Sequence, residues 1–77
     1  MVRILDEDGF HVHIWPNDHI PAHVHVYRAE GLAIIEIASL RVRVAYDMKP
    51  KDQRRAIAIV SAHRELLLRK WREIHGD

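Results

Sequence analysis

The chain has no cysteine, which excludes a disulfide and a zinc site built on thiolates. Its 77 residues have room for one domain, which we place over residues 1–77. A domain of this size buries its surface incompletely, so we expect a stability on the order of a few kcal/mol. Reinforcement must come from tight packing, a metal site with histidine and carboxylate ligands, or a partner chain.

Long apolar runs and an excess of one charge are also missing. No apolar run reaches the roughly 20 residues that span a membrane, and no signal peptide is visible after Met1. We therefore expect a cytoplasmic protein without membrane contact. The formal net charge of +1 argues against a general nucleic-acid binder. The charges are segregated, because residues 1–48 hold four Lys/Arg and seven Asp/Glu whereas residues 49–76 hold eight and three.

Two hydrophobic periods divide the chain. Alternating apolar and polar residues predict four to five short strands within residues 2–46, with turn signals at Asp8-Gly9 and Glu30-Gly31. The connections are too short for crossover helices, so neighbouring strands should pair antiparallel. An apolar repeat of three and four residues predicts one long helix over about residues 50–75. The predicted fold class is α+β, a small antiparallel β-meander packed on one long C-terminal helix. Trp71 and Tyr46 are predicted to pack in the core or at its edge.

Histidine is unusually frequent, and five of the seven histidines lie between His11 and His25. Side chains alternate across a strand, and a slip of one residue in the pairing would expose apolar side chains. The two His-x-His pairs should therefore share the sheet face that lies away from the helix. An aromatic and imidazole face of this kind is typical of a surface that contacts a protein partner. The candidate residues of this binding surface are His11, His13, Trp15 and Tyr27.

A metal site is one interpretation of the second pair. The Cα atoms of His23 and His25 should lie roughly 6.5 Å apart on one strand face, close enough for both rings to reach one ion. His19, in the preceding loop, is a candidate third ligand. Imidazole suits Zn²⁺ and other divalent transition metals, and Asp18 or Glu36 could add a carboxylate. The alternative is that these histidines are only the polar side of a two-sided strand.

Two further functions remain open. Histidine titrates near neutrality, so His23, His25, His63 and Arg64 are candidate acid–base groups of a metal-dependent hydrolase or a small ribonuclease. The structural alternative for His63 is a half-buried ring that donates a hydrogen bond to a backbone carbonyl of the sheet. A basic helix face could also follow a phosphate backbone, and a solvated helix exterior is its alternative. The members of this basic face are Lys51, Arg54, Arg55, Arg69 and Arg72.

The run Asp8-Gly9-Phe10, Ile14-Trp15 and the segment 18–26 together resemble the small prokaryotic family catalogued as domain of unknown function 4160. The signature of that family is an aromatic residue after Asp-Gly, followed by Glu/Asp-His-x-Pro-Pro-His-Val-His-Val. The segment 59–65 and Trp71 are similar as well. The signature maps onto His19, Pro21, His23, His25, His63 and Trp71. Ala22 stands where the family has a second proline.

The resemblance implies a gene neighbourhood and a partner, but no particular reaction. The family that the chain resembles occurs in bacterial gene pairs similar to toxin–antitoxin modules, next to another small protein. The resemblance therefore implies a partner-binding component whose partner is a small cognate protein, a second copy of the chain, or both. His11 and His13 lie outside the signature, which makes them secondary to His19, His23 and His25. Whether the protein is an enzyme stays open at this point.

Overall fold

The computed structural model describes residues 2–76, which form one sheet and two helices. The sheet is an antiparallel meander in the order β1-β2-β3-β4-β5. The strands are β1 (Val2–Glu7), β2 (Phe10–Ile14), β3 (His23–Arg28), β4 (Gly31–Glu36) and β5 (Val42–Tyr46), and the helices are α1 (Pro50–Ala62) and α2 (Arg64–His75). The predicted α+β class and the meander are confirmed. The prediction of one long helix is wrong, because the helical segment is interrupted.

The interruption lies at His63, whose φ of −113° and ψ of 22° leave the helical region. The side chain of His63 is bonded to the sheet, with Nε2 3.0 Å from Glu7 Oε1 at the end of β1. This bond ties the chain to the sheet at the junction of the two helices. Leu67 and Trp71 are buried beyond the break, so the apolar repeat continues through it. That continuity is why the sequence pattern predicts a single helix.

The core lies between the helices and one face of the sheet. Val12, Val24, Val26, Ala33 and Ile35 on the sheet are inaccessible to solvent. The helices contribute Ala56, Ile59, Val60, Leu67 and Trp71. Each fully buried Val, Leu or Ile side chain stabilises the fold by about 1.5–3 kcal/mol relative to its exposed state. Burial of these rows therefore determines which face of each strand meets the helices.

Strand pairing confirms the predicted register of β2 and β3. His11 lies opposite Tyr27, and His13 lies opposite His25. Directly opposed residues share a sheet face, so both histidine pairs lie on the face opposite the core, here called the back face. Tyr46 also lies on the back face and is 61% exposed, so its predicted core position is wrong.

The two tight turns differ in how well the sequence predicts them. Asp8 and Gly9 have φ values of 53° and 79°, the positive pair of a type I′ hairpin turn, as expected. The second turn is formed by Ala29 and Glu30, and Gly31 already belongs to β4. A Cβ on Gly31 would lie 2.5 Å from the carbonyl oxygen of Asp47. This glycine is therefore required by a close backbone approach instead of a turn.

Between residues 2 and 76, neither helix is long and apolar enough to cross a membrane.

Candidate functional site

One carboxylate and two imidazoles meet at the start of β3. Asp18, His23 and His25 each offer a ligand atom, and these atoms all lie within 4.8 Å of one another. The two histidines share the back face because they are two residues apart on β3. Asp18 comes from the loop between β2 and β3. This set is called the Asp-His-His cluster below.

Hydrogen bonds with the backbone of Trp15 hold Asp18 in position. The N–H of Asp18 donates to the carbonyl oxygen of Trp15 at 3.0 Å, and its Oδ2 accepts the N–H of Trp15 at 3.3 Å. These two bonds close a short turn directly after β2. The turn brings Asp18 Oδ2 to 3.3 Å from His23 Nε2 and 3.7 Å from His25 Nδ1. A single carboxylate oxygen is therefore the centre of the cluster.

The tautomer of His23 follows from its second contact. Its Nδ1 lies 2.9 Å from the carbonyl oxygen of Pro21, which can only accept a hydrogen bond. Nδ1 must therefore carry a proton, and in a neutral ring the lone pair is on Nε2. That lone pair lies beside the negative oxygen of Asp18. Two acceptors at 3.3 Å require a cation between them, either a proton on Nε2 or a metal ion.

His25 offers a second lone pair to the same point. Burial lowers the pKa of His25, although the carboxylate of Asp18 acts in the opposite direction. Burial therefore favours the neutral form of the ring. Its Nδ1 is buried and has no hydrogen-bond partner among the described residues. A buried polar atom without a partner is uncommon and is often explained by a bound ion or water.

Aromatic rings fix the two imidazoles. Trp71 of α2 packs on His23 with 5.3 Å between ring centroids, and Trp15 packs on His25 at 5.7 Å. Tyr27 also stacks on His25, with an interplanar angle of 18°. His23 is 5% exposed, so little rotational freedom remains. The cluster is held rigidly before any ligand binds, which lowers the entropy cost of binding.

His19 is not part of the cluster. Its side chain is exposed, whereas the neighbouring Asp18 is directed towards β3. The structure thus brings together His23 and His25 from the predicted ligand set and adds Asp18, which the sequence offered only as an alternative carboxylate. Glu36, the other carboxylate considered, lies opposite His23. Its carboxylate instead accepts hydrogen bonds from Arg43 and Ser39, which lower its pKa.

The candidate acid–base residues lie in two places. His63 contacts Glu7, next to the β1–β2 turn. The backbone carbonyl of Asp8 in that turn accepts a hydrogen bond from Arg28, at the far end of β3. His23 is at the near end of β3, roughly 16 Å away along the strand. Arg64 follows His63 on α2. The structure therefore does not bring His63 and Arg64 to His23 and His25.

The four residues of the predicted binding surface belong to a back face that is wider than the sequence indicated. His11 Nδ1 forms a hydrogen bond with Asp6 Oδ1 at 2.6 Å, and His13 is 7% exposed. Trp15 is 37% exposed and Tyr27 is partly buried. The missed members are four apolar residues of β4 and β5 on the back face, namely Leu32, Ile34, Val44 and Tyr46. The pairing of β3 with β4 places Leu32 and Ile34 on the face of Tyr27, and the pairing of β4 with β5 adds Val44 and Tyr46.

The basic helix face is divided. All five of its members are exposed, but the break at His63 separates the three on α1 from the two on α2. Arg55 forms ion pairs with Glu7 and Asp8, and Arg69 lies 4.0 Å from Glu73. These two charges are partly neutralised within the fold, so the charge available to a polyanion is smaller than the sequence suggests.

Comparison with known proteins identifies a family for this chain but no related protein of known structure. No curated protein and no solved structure matches the chain. A family model matches residues 9–72, from the first hairpin turn into α2, and includes the whole Asp-His-His cluster. The chain therefore belongs to the family described as domain of unknown function (DUF4160).

Proposed function

We propose that this protein binds one divalent transition-metal ion, with Zn²⁺ as the best fit, at the Asp-His-His cluster. The ligand atoms are Asp18 Oδ2, His23 Nε2 and His25 Nδ1. The observation that carries the proposal is the position of His23 Nε2, 3.3 Å from a carboxylate oxygen, while the Nδ1 of the same ring lies 2.9 Å from the carbonyl oxygen of Pro21. A metal ion between these atoms turns a repulsive contact into two coordinate bonds.

The distances support a small tetrahedral ion. Zn–N and Zn–O bonds of about 2.0–2.2 Å place neighbouring ligand atoms of a tetrahedron about 3.3–3.5 Å apart. The two separations from Asp18 Oδ2 are 3.3 Å and 3.7 Å. The ligand atoms of the two histidines lie within 4.8 Å of each other, so the rings would have to approach by up to about 1.5 Å to complete the geometry. Ca²⁺ and Mg²⁺ prefer six or more oxygen ligands, so two imidazoles favour a transition metal.

The surroundings of the cluster also support a metal ion. Histidine ligands usually donate their other ring N–H to a carboxylate or a carbonyl oxygen, which orients the ring and strengthens the ligand. His23 makes this contact with the carbonyl oxygen of Pro21. The lowered pKa of His25 also favours metal binding, because a neutral ring competes for metal at a lower pH than an unperturbed one.

We further propose that the protein acts in a complex, as a component of a toxin–antitoxin-like pair in the cytoplasm. The support is the back face, where Tyr27, Leu32, Ile34 and Val44 are partly buried and Tyr46 is 61% exposed. Side chains of this kind form the centre of protein interfaces when a partner covers them. The partner is a small cognate protein with an apolar face.

Metal binding is tested on protein purified without an affinity tag and dialysed against a chelator. Calorimetric titration with zinc should give one ion per chain in the wild type. His25→Ala removes a ligand and should weaken zinc binding by more than about 100-fold. Loss of only a hydrogen-bond partner of a ligand typically weakens metal binding by about 10–100-fold. His11→Ala is the matched control, because His11 is paired with Asp6 outside the cluster. Equal affinity of both variants, or no zinc uptake by the wild type, contradicts the proposal.

Partner binding is tested by co-expression with the neighbouring small protein of such a gene pair. The untagged chain should co-purify with it, and Tyr46→Ser should reduce the recovered complex. Ser39→Ala is a suitable control, since Ser39 contacts Glu36 near the opposite end of β4. Recovery of the same amount of complex with Tyr46→Ser would remove the back face from the interface.

A further inference from the structure

We infer that the fourth ligand of the proposed metal ion is His19 of a second copy of the chain, so that zinc bridges two chains into a symmetric dimer. The inference rests on the proposed metal site and adds a partner to it. The juxtaposition that supports it is an inward carboxylate, Asp18, followed directly by an exposed imidazole, His19.

Ligand count is the first argument. A zinc ion without a substrate or water position takes four protein ligands, and one chain supplies three at this point. Asp18 is the most exposed of the three ligands, with 18% of its side chain accessible against 7% and 14% for the histidines, so a fourth ligand reaches the ion most readily from the loop side. His19 is exposed on the same loop but its ring is outside the cluster of its own chain. A second chain can present the same ring from outside.

Twofold symmetry allows each chain to supply His19 to the metal ion of the other. In a twofold dimer the same patch of both chains is in contact, so residue i of one chain meets residue j of the other and the reverse. Asp18 and His19 are adjacent, with Cα atoms about 3.8 Å apart. Two loops that face each other can thus each place His19 at the metal ion of the other chain. The assembly closes with two ions and two chains, and no filament results.

The side chains around His19 suit burial against a second loop. Ile20 is 84% exposed and Trp15 is 37% exposed, and both belong to the loop that carries His19. Isolated exposed apolar residues are ordinary, but two beside an exposed imidazole form a small contact surface. Burial of such surface contributes about 25 cal/mol per Å². This contribution is modest, so the metal bonds must supply most of the dimer affinity.

Electrostatics makes the dimer dependent on metal. Without an ion, a twofold contact at this loop would bring two Asp18 carboxylates towards each other, and like charges repel. A bound divalent cation neutralises the carboxylate in each site. The chain should therefore be a monomer in chelator and a dimer in zinc.

The first test is sedimentation velocity of untagged chain with and without zinc, with metal content measured on the same samples. The expected mass is that of the 9.1 kDa chain in chelator and twice that value in zinc. His19→Ala should remain a monomer in zinc while still taking up the ion through three ligands. His11→Ala should dimerise like the wild type, because His11 is bonded to Asp6 away from the loop.

The second test is complementation between two variants. His19→Ala keeps its Asp-His-His cluster but cannot donate the bridging ring, whereas the double variant His23→Ala, His25→Ala keeps the ring but lacks both imidazoles of the cluster. Each variant alone should be monomeric in zinc. Their equimolar mixture should form a dimer with one ion, since one complete site is restored across the contact.

The outcomes separate the inference from the proposed function. A wild type that binds one zinc per chain and stays monomeric overturns the dimer and leaves the metal site intact. A wild type that binds no zinc overturns both. A His19→Ala variant that dimerises like the wild type, or a mixture that fails to associate, overturns the assignment of His19.

Discussion

Replacement of Asp18 by asparagine tests whether the Asp-His-His cluster is a metal site or a structural ion pair. The substitution keeps the shape of the side chain and the oxygen that accepts the N–H of Trp15. It removes the negative charge from the Oδ2 position, which contacts both the N–H of Trp15 and His23 Nε2. An amide oxygen at this position keeps the Trp15 bond and no longer places a full negative charge against the lone pair of His23. The two interpretations of the cluster then predict different free energies of unfolding for this variant, because loss of an ion pair destabilises the fold and loss of an uncompensated negative charge does not.

The magnitudes follow from the contacts. In chelator, the substitution relieves the repulsion between a negative oxygen and the lone pair of His23. If the amide turns its NH₂ towards His23 instead, the hydrogen bond gained offsets the Trp15 bond lost, since each contributes about 0.5–1.5 kcal/mol. Asp18→Asn should therefore have a free energy of unfolding equal to that of the wild type or slightly higher. Free zinc at 100 times its dissociation constant should stabilise the wild type by about 2.7 kcal/mol. For a domain of this size that corresponds to a rise in Tm of roughly 10–20 °C. Asp18→Asn should lose most of that rise.

The assay is thermal and urea unfolding followed by circular dichroism, in chelator and in zinc. Asp6→Asn is a matched control, because Asp6 and His11 form another carboxylate–imidazole pair, 2.6 Å apart and without a second histidine. Its zinc response should equal that of the wild type. A protonated His23 ion-paired to Asp18 predicts the reverse pattern. Destabilisation of Asp18→Asn in chelator, together with a wild-type Tm that zinc leaves unchanged, would identify the cluster as an ion pair and exclude the metal site.

Three further predictions concern the fold. Burial lowers the pKa values of His13 and His25 below 6.5, so the unfolded chain binds more protons below that pH. Stability in chelator should therefore be full above about pH 6.5 and decline as the pH falls through the lowered values, and urea titrations on His13→Leu should show a weaker decline. Leu67 is inaccessible, so Leu67→Ala should cost about 2–5 kcal/mol, whereas Leu66→Ala, outside the core cluster, should cost clearly less in the same titration. A Cβ on Gly31 would lie 2.5 Å from a backbone carbonyl oxygen, so Gly31→Ala should cost about 1–3 kcal/mol, and an unchanged urea midpoint would contradict that contact.

The helical half illustrates where the sequence pattern is insufficient. The apolar repeat runs through His63 without interruption, and it correctly places Leu67 and Trp71 in the core. The break at His63 accompanies a bond to Glu7, which is 56 residues away in the chain. A local pattern contains no information about such a contact. The exposure of Tyr46 was missed for a similar reason, because its face depends on the pairing of β4 with β5.

Residue patterns alone were sufficient to predict the strands, their antiparallel pairing and the shared face of His23 and His25. Side chains alternate along a strand and apolar rows must be buried, so a period of two specifies both the faces and the register. Only the tertiary structure showed which loop residue lies beside the two histidines. Asp18 and His19 are adjacent, and from the sequence either could supply a ligand. The hydrogen bonds with Trp15 direct Asp18 towards β3 and leave His19 exposed, because a loop without periodicity takes its side-chain directions from the contacts it makes.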